Sequence, residues 1–360
     1  MIMSTGRLDV SPLTVPERPL VSIVIPCLNE ENYITALLDS LAAQDYGPGG
    51  IEILVSDGGS SDRTRELVRD YPSPFRRLVL VDNPRRITVA GLNEGMAAAT
   101  GDCWIIIGAH SSVRHDFVRQ SVEALRRTGA ACVGGPIDTI GEGVTHRAIA
   151  AAMSSPFGVG NAAFRYAGSD EAERDVDTVP FGCYHRRVWE VVGPFDETID
   201  GADEDSYNAR LIEAGGRIVL VPAIRSSYFP RRSLKALAKQ YFEYGAAKGT
   251  LLARGRPLRP RHFVPSAMVT GGPALAILGI FFVPARLLLL LLSGVYAVTG
   301  FYFARRAAHA AGANSPLTLA AMGIMHLTYG AGFIAGGWRE HRRLRHAPAR
   351  VSEPLVDSPS

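Results

Sequence analysis

Runs of β-branched and other apolar residues alternate with helical patterns through the first part of the chain. The run Val21 to Pro26, VSIVIP, precedes apolar residues at helical spacing between Tyr33 and Leu41. The same order of strand and helix recurs from Ile51 to Val68 and from Leu78 to Ala99. These consecutive strand and helix units predict an α/β fold with a doubly wound, mostly parallel sheet and right-handed crossovers.

The second unit ends its strand on a carboxylate. Ile51 to Asp57 is nearly continuous in apolar β-formers, which is typical of a parallel strand covered on both faces. Gly58 and Gly59 permit a sharp turn, and the polar run after them favours a helix continuing from Thr64. Ligands in open α/β sheets bind at the carboxyl ends of strands, so Asp57 is predicted to point into a binding crevice. An Asx-type turn with a solvated carboxylate is the alternative interpretation.

A further apolar run, Cys103 to His110, ends in a histidine. An imidazole at a strand end can coordinate a divalent cation, and a structural histidine is the competing interpretation. Residues 133 to 180 are predicted to be irregular. Within them Gly158 to Ala163, GVGNAA, matches a dinucleotide fingerprint in letters but follows no predicted strand, so we do not interpret it as a nucleotide loop.

Acidic residues crowd the start of a later helix, whose apolar side is predicted to carry Tyr207, Leu211 and Ile212. Acids at a helix N-terminus interact favourably with the helix dipole, which is a purely structural explanation. Crowded like charges also raise one another's pKa, which suits a general base. The acidic residues concerned are Asp200, Asp203, Glu204 and Asp205.

The C-terminal part of the chain is far more apolar than the rest. Residues 264 to 303 contain one charged residue, Arg286, and residues 317 to 338 contain none. About 20 apolar residues span a bilayer as a helix. The candidate membrane spans are therefore 264–283, 287–303 and 317–338, with the first two joined at Pro284 to Arg286.

This distribution predicts the organisation of the whole chain. A flexible N-terminus, 1–19, precedes a domain at 20–250, a membrane region at 251–340 and a disordered tail at 341–360. The first residues lack the apolar core of a signal peptide, so the domain is expected to face the cytosol from the inner (cytoplasmic) membrane, held there by a multi-pass tail. Three spans would put the basic residues after Trp338 outside, against the positive-inside rule. Either one segment lies in the interface or re-enters, or this chain breaks the rule.

Charge and cysteine usage add little beyond this. The formal net charge is +3, and the basic runs beside the apolar segments indicate contact with anionic lipid headgroups rather than nucleic acid. The four cysteines show no CxxC spacing, which predicts reduced cysteines in the core.

Taken together, these motifs resemble the family 2 glycosyltransferases of GT-A fold, most closely the succinoglycan-type exopolysaccharide transferases with a C-terminal membrane region. The resemblance runs from Val21 to about Gly337 and implies a UDP-sugar donor. The residues that it implies for donor binding are Pro26, Asn29, Glu30, Asp57, Gly58, Asn93 and Gly108.

The metal motif departs from the family pattern. The family has Asp-x-Asp after the fourth strand, whereas this chain has Gly108, Ala109 and His110. The resemblance implies that His110 holds Mg²⁺ or Mn²⁺, although the first carboxylate of the motif is missing.

The family's catalytic base lies in a Glu-Asp pair before a helix that ends in Arg-Leu-x-x-Ala-Gly, here matched from Arg210 to Gly215. Counting back from Arg210 assigns the base to Glu204, whereas matching the letters assigns it to Asp205, beside Asp203. We prefer Glu204 as the catalytic base and keep Asp205 as the alternative.

The implied acceptor side consists of Gly182, in the run VPFGCYHRR, and of Gln240 and Tyr244 in QYFEY, the counterpart of a Gln-x-x-Arg-Trp motif. Glu243 replaces the arginine of that motif. Nearby basic residues that could supply the missing charge are Arg231, Arg232, Lys235 and Lys248.

The resemblance implies inverting transfer from a UDP-sugar to a lipid-linked or polysaccharide acceptor, and a polyprenyl-diphosphate-linked sugar suits a membrane-bound chain. A non-catalytic homologue that acts as a membrane scaffold is the alternative, because both the metal motif and QYFEY depart from the family. A nucleotidyltransferase would need a basic loop after the first strand, and CLNEEN is acidic.

Overall fold

The computed structural model describes residues 13–160, 162–166, 168, 171–198, 203–256 and 258–346. The strands are β1 (Val21–Cys27), β2 (Ile51–Asp57), β3 (Arg77–Asp82), β4 (Cys103–Ile106), β5 (Ser111–Val113), β6 (Cys132–Gly134), β7 (Ile137–Thr139), β8 (Arg174–Asp175), β9 (Cys183–His185), β10 (Ile218–Leu220) and β11 (Ser226–Tyr228). The helices are α1 (Ile34–Ala42), α2 (Thr64–Arg69), α3 (Thr88–Ala98), α4 (Phe117–Thr128), α5 (Gly143–Met153), α6 (Pro156–Val159), α7 (Arg186–Val192), α8 (Asp203–Glu213), α9 (Leu234–Ala253), α10 (Val264–Phe281), α11 (Val283–Ala311) and α12 (Ser315–His346).

An eight-stranded sheet in the order β3-β2-β1-β4-β9-β6-β10-β8 forms the centre of the fold. Strands β3, β2, β1 and β4 are parallel, and β6 is parallel to β10. Strand β9 is antiparallel to both of its neighbours, and β8 is antiparallel to β10. The predicted α/β class and mostly parallel sheet are confirmed. A second sheet, β5-β11-β7, adds three short strands.

The first two predicted strand and helix units form because β1 and β2 are apolar enough to be covered on both faces, whereas β3 lies at the edge of the sheet and is only partly buried. Every residue of β2 is buried, and Leu37, Leu38 and Leu41 of α1 are buried against the sheet. Burying one such side chain contributes about 1.5–3 kcal/mol. Helix α3 lies so close to β1 that a Cβ on Gly95 would be 2.4 Å from the Val24 Cγ1, so only glycine fits there.

An aromatic cluster fixes α8 to the sheet. The rings of Trp104 on β4 and Tyr184 on β9 stack with centroids 4.0 Å apart, and Tyr207 of α8 meets both rings edge-on. Tyr207 and Leu211 are buried as predicted, whereas the prediction for Ile212 is wrong because its side chain is exposed. These ring contacts hold α8 against β4 and β9.

The prediction that residues 133–180 are irregular is wrong for most of the first half of that segment. It contains β7 and the helix α5, whose residues Ile149, Ala152 and Met153 are fully buried beside the C-terminal helices. The alanine-rich face of α5 has little amphipathic contrast, which hid it from pattern analysis. The stretch 158–163 begins inside α6 and follows no strand, and its Asn161 lies outside the described residues. The four cysteines are free and buried, as predicted.

Three helices in the described part of the chain are long and apolar enough to cross a membrane, over Pro260–Phe281, Val283–Ala311 and Ser315–Arg345. The prediction that the first two spans are joined at Pro284 to Arg286 is wrong. The turn between the two helices falls at Phe282, and Pro284 already lies in the first turn of α11. The predicted domain boundary at residue 250 falls inside α9.

The third apolar helix, α12, packs along α9 through glycines on both helices. A Cβ on Gly245 would be 2.0 Å from the carbonyl oxygen of Tyr329, and one on Gly332 would be 2.0 Å from that of Phe242. Gly249 and Gly336 repeat the same contact one turn further along. These four glycines, which we call the glycine seam, let the two backbones approach as closely as in small-residue helix pairs.

Candidate active site

The loops that follow β1 and β2 are hydrogen-bonded to each other. The Asn29 amide N–H donates to the Ser60 Oγ at 2.8 Å, and the Ser61 N–H donates to the Asn29 Oδ1 at 2.9 Å. Asn29 has a φ of 57°, a left-handed conformation that asparagine tolerates better than most residues. The Glu30 N–H donates to the Thr64 Oγ1 at 2.8 Å. The two loops predicted to bind the donor therefore form one connected surface.

Asp57 is fully buried at the end of β2, and both of its oxygens accept hydrogen bonds. Its Oδ2 accepts from the Gly59 N–H at 2.9 Å, the Ser60 N–H at 3.0 Å and the Arg65 guanidinium at 2.6 Å. Its Oδ1 accepts from the Ser60 hydroxyl. Burial opposes ionisation, but the bonds from Ser60 and Arg65 outweigh it and lower the pKa of Asp57. The predicted position and the Asx-type turn are both present, whereas the carboxylate is not solvated.

Arg65 joins Asp57 to the next strand and was missed by the sequence analysis. Its second nitrogen donates to the Asp82 Oδ1 at 2.7 Å, so one guanidinium bridges the ends of β2 and β3. Gly58 lies beside it, with its N–H bonded to the Cys27 carbonyl at 2.9 Å. The only advance signal for Arg65 is its place on the first turn of α2, facing back toward the strand that precedes it.

Two other predicted donor residues have defined local positions. Pro26 lies one residue before the end of β1, in register with Ser56 of β2. The Asn93 amide on α3 donates to the Phe195 carbonyl at 3.1 Å and to Glu197 at 2.7 Å, and it accepts from the Phe195 N–H at 2.8 Å. Asn93 thus links α3 by hydrogen bonds to the segment before α8.

His110 lies in the loop after β4, which ends earlier than predicted, at Ile106. Its Nδ1 is 3.2 Å from the Glu30 Oε1, so Glu30, predicted for the uridine pocket, contacts the predicted metal ligand. The imidazole ring also lies 5.4 Å from the Tyr228 ring and 6.4 Å from the Tyr33 ring. Within the described residues no group of three or more His, Cys, Asp and Glu side chains could hold a metal.

Gly108 stands where the family has its first metal-binding carboxylate. A Cβ on Gly108 would meet the Ser111 Oγ at 3.7 Å and a Phe181 ring carbon at 4.0 Å, which are ordinary contacts. A side chain therefore fits at this position. Phe181 itself adopts a φ of 49°, which is uncommon for a residue other than glycine. Next to it, a Cβ on Gly182 would be 2.8 Å from the Cys132 Sγ, so glycine is required there.

The QYFEY motif reaches His110 through Tyr228. The Gln240 Nε2 donates to the hydroxyls of Tyr228 at 3.1 Å and Tyr244 at 3.0 Å. The Gln240 Oε1 is buried and finds no hydrogen-bond partner among the described residues. The structure thus brings the predicted acceptor residues Gln240 and Tyr244 close to the predicted metal ligand.

Glu243 points away from this cluster and pairs with Lys239 at 3.7 Å on the exposed face of α9. A different cation lies beside the cluster. The guanidinium carbon of Arg165 is 5.7 Å from the Tyr228 ring centroid, and its buried Nη1 has no hydrogen-bond partner within the described chain. The charge of Arg165 also opposes the burial that raises the pKa of Tyr244. The basic residues predicted to supply the missing charge lie on α9 or just before it, and Arg165 was not among them. Arg165 was missed because its segment shows no regular hydrophobic pattern.

The two candidate bases at the start of α8 have different surroundings. The Asp205 Oδ2 accepts from the Lys248 Nζ at 2.5 Å, and Lys248 lowers the pKa of Asp205 against the opposing effect of burial. Glu204 lies near Cys132 and Tyr184, because its negative charge adds to the burial that raises the pKa of both groups. Asp200 and the side chain of Asp203 lie outside the described residues. The charge of Glu204 thus acts on Cys132 and Tyr184, whereas Asp205 pairs with Lys248 of α9.

Arg210, which belongs to the motif at the end of α8, makes its hydrogen bonds to backbone carbonyls of the segment before α8. Its guanidinium donates to the carbonyls of Val192 at 3.0 Å and Pro194 at 2.6 Å. A cleft of about 670 Å³ is lined by residues of β8 and β10, among others, and none of the predicted site residues lines it. A smaller cleft of about 280 Å³ contains Asp205 and Lys248.

Comparison with known proteins identifies the chain as a glycosyltransferase. The chain belongs to glycosyltransferase family 2, and residues 22–188 match the family described as Glycosyl transferase family 2. It is similar to the succinoglycan biosynthesis protein ExoA of Rhizobium meliloti (strain 1021), with 32% identity over 325 residues, which cover 88% of this chain and 94% of that protein.

A second relative is the Methanococcus voltae enzyme named dolichyl N-acetyl-alpha-D-glucosaminyl phosphate 3-beta-D-2,3-diacetamido-2,3-dideoxy-beta-D-glucuronosyltransferase. It is 34% identical over 243 residues, which cover 65% of this chain and 74% of that enzyme. The chain is thus a glycosyltransferase, and its three long apolar helices support association with a membrane.

Two solved structures share the GT-A fold. The mannosyltransferase PcManGT from Pyrobaculum calidifontis, in complex with GDP-Man and Mn²⁺, superposes with a TM-score of 0.59 and 20% identity, over 92% of this chain and 89% of that one. S. aureus TarS 1-349 in complex with UDP-GlcNAc gives a TM-score of 0.51 and 15% identity, over 89% and 91%. The predicted GT-A fold is confirmed.

Proposed function

We propose that this protein transfers a sugar, with inversion, from a UDP-sugar to a polyprenyl-diphosphate-linked acceptor. The observation that carries the proposal is the convergence of the Asn29 and Asp57 loops, His110 and the Gln240 cluster at the carboxyl ends of the central strands. The names of the relatives support it, since one acts in succinoglycan biosynthesis and the other on a dolichyl-phosphate-linked sugar.

On the donor side, we assign the nucleoside to the connected loops after β1 and β2. Asp57 and Arg65 form a buried ion pair with 2.6 Å between the nitrogen and the oxygen, and Arg65 is the partly exposed member that a uracil or ribose would meet first. Pro26, Asn29 and Gly58 shape the backbone around it. Asn93 acts at a distance, through the segment that leads to α8.

His110 fits the role of one ligand of a divalent cation. The diphosphate of the bound donor would supply further ligands. Protein sites for Mg²⁺ often combine few side chains with substrate phosphates. The Glu30 carboxylate lies at the Nδ1 of His110, which is the arrangement that orients a histidine so that its other nitrogen can bind a metal. Mg²⁺ or Mn²⁺ bound by His110 and the diphosphate would stabilise the negative charge of the departing UDP.

We assign general-base catalysis to Glu204. Its carboxylate removes the proton from the acceptor hydroxyl as the hydroxyl oxygen attacks the anomeric carbon, and the bond from that carbon to UDP breaks with its electron pair leaving on UDP. Such a base contributes roughly 10²- to 10⁴-fold in rate. Asp205 is the weaker candidate because Lys248 holds it as a paired carboxylate. Arg165 supplies the positive charge that Glu243 cannot supply beside Gln240.

We further propose that α10 and α11 cross the inner membrane as a hairpin, with the catalytic domain in the cytosol. Helix α12 does not cross in this arrangement, because the glycine seam holds it against α9. Two crossings leave Arg259, Arg305 and the basic end of α12 on the cytosolic side, in accord with the positive-inside rule. The conflict that three spans would create is thereby removed.

The test is a panel of UDP-sugars and GDP-sugars incubated with membranes that contain the protein and with lipid-linked sugar acceptors. We expect one UDP-sugar to label the lipid fraction and release UDP in equal amount. Labelling from a GDP-sugar alone would contradict the assigned donor. Equal labelling by the Glu204→Gln variant would contradict the assigned base.

A further inference from the structure

A basic cleft of about 280 Å³ lies between α8, α9 and the segment that leads into α10. Lys248 and Asp205 face it from the two helices, and Arg256, Arg259 and Arg261 line it from the connecting segment. None of these arginines belongs to the donor loops or to the His110 cluster. The cleft therefore stands as a separate feature next to the proposed base, since Asp205 and Glu204 are neighbours in sequence.

Positive charge exceeds negative charge in the lining of this cleft. Five cationic side chains, including Arg210, face three carboxylates among the described lining residues. Asp177 is shared by Arg259 and Arg261, each at 3.1 Å, which fixes both guanidinium groups at the edge of the cleft. Arg256 forms no ion pair with any residue in the described ranges. Such a cleft attracts an anion with several oxygens, for which arginine forks are well suited.

The cleft lies where the chain enters the membrane. Its lining ends at His262, and the exposed apolar residues Phe263 and Val264 follow directly at the start of α10. An anion bound here would thus have an apolar surface beside it on one side and the start of α8 on the other. A lipid with a charged diphosphate between an apolar tail and a sugar matches this order of surfaces.

We propose that this cleft binds the diphosphate of the lipid-linked acceptor; the proposal rests on the proposed function. The polyprenyl chain lies along α10, and Arg256, Arg259 and Arg261 hold the diphosphate. The sugar then extends past Asp205 toward Glu204. In this arrangement Lys248 neutralises Asp205, so that this carboxylate does not repel the diphosphate.

The experiment uses the full-length protein in detergent and titrates it with farnesyl diphosphate, a short polyprenyl diphosphate without a sugar. We expect binding by the wild type, and an affinity about 10-fold lower or worse for the double variant Arg256→Gln/Arg259→Gln, because hydrogen bonds to a charged group are lost. The matched control is Arg217→Gln, an exposed arginine that pairs with Asp175 at 2.9 Å in the neighbouring cleft. A UDP titration of each variant checks that the protein is folded.

Three results would overturn the proposal. The first is equal affinity of the double variant and the control for farnesyl diphosphate. The second is binding of inorganic diphosphate as tight as that of farnesyl diphosphate, which would show a site for a free anion. The third is competition by vesicles of phosphatidylglycerol as effective as farnesyl diphosphate itself, which would show a site for membrane headgroups. Because no transfer is measured, the titration separates a failed acceptor site from a failed transferase.

Discussion

The donor side and the acceptor side of the site are held together by different kinds of contact. On the donor side, Asp57 is buried, and the loops that follow the adjacent strands β1 and β2 are hydrogen-bonded to each other. On the acceptor side, Lys248 of α9 pairs with Asp205 of α8, and Arg261 before α10 pairs with Asp177, around an open cleft. The donor side is therefore a property of the central sheet, whereas the acceptor side depends on how the C-terminal helices dock. Changes that separate the two sides test this comparison.

The largest effect is expected on the acceptor side, from Glu204→Gln. If Glu204 is the base, turnover should fall by ~10²-fold or more with UDP-sugar affinity little changed. Asp205→Asn keeps the shape of the neighbouring carboxylate and serves as the matched control. It should cost ~0.3–1 kcal/mol of stability and leave most of the turnover. Steady-state kinetics on both variants decides, and near-wild-type turnover in both would falsify the base assignment.

The next effect is expected on the donor side, from Asp57→Asn. The substitution removes the charge that pairs with Arg65 and should weaken UDP binding by roughly 10-fold, about the value of one charge-assisted hydrogen bond. Asp82→Asn removes the other, exposed partner of Arg65 and should change affinity little. Calorimetry with UDP measures both. Unchanged affinity in Asp57→Asn would remove this pair from the donor site, and farnesyl diphosphate binding should not differ between the two variants.

A smaller effect should follow from disturbing the glycine seam. In Gly336→Leu the new Cβ would lie 2.1 Å from the Ala246 carbonyl oxygen, so α12 must move away from α9. Overpacking of this kind typically costs about 1–3 kcal/mol. Gly323→Leu is the control on the same helix, since a Cβ there meets no described atom within 4 Å. Thermal unfolding in detergent should show a lower Tm for Gly336→Leu only. Equal Tm values would contradict the docking of α12.

The smallest effect is expected on the stability of the folded protein at acid pH. The pKa of Asp205 is lowered in the folded protein, so the folded state binds fewer protons than the unfolded state as the pH falls past the ordinary value of 3.8. The stability that the ion pair contributes is therefore present above that pH and lost below it. The side chain of Asp205 is 42% exposed, so this contribution stays under about 1 kcal/mol. Asp205→Asn should make the loss of stability in acid slightly less steep, as followed by circular dichroism. A steeper loss would contradict the sign.

The sequence predicted the strand and the turn that carry Asp57, because their determinants are local. The run from Ile51 to Asp57 becomes a fully buried strand and the glycines after it make the turn, all within consecutive residues. Arg65 was missed because its bridge to Asp82 depends on the pairing of β2 with β3. The α/β class could be predicted because apolar strand runs alternate with helical patterns over the first 100 residues, and this alternation is visible in the sequence itself.

The acceptor side could be predicted only in part, because its contacts join residues far apart in sequence. Tyr228, which connects Gln240 to His110, comes from the small second sheet, and Arg165 comes from a segment without periodicity. Hydropathy also does not distinguish α12 from α10 and α11. Apolar residues are favoured both in helices buried in protein and in helices that contact lipid. The spacing of Gly245 and Gly249 against Gly332 and Gly336 was the available signal that α12 has a protein partner.

The central claim is that an acceptor-side carboxylate activates the acceptor for a single displacement. The most direct measurement is the anomeric configuration of the transferred sugar, read by proton NMR from the coupling constant of the product made with the active UDP-sugar. A donor whose sugar is α-linked to UDP should give a β-linked product, because one displacement inverts the anomeric carbon. An α-linked product would contradict the mechanism, since retention requires a second displacement or a different path.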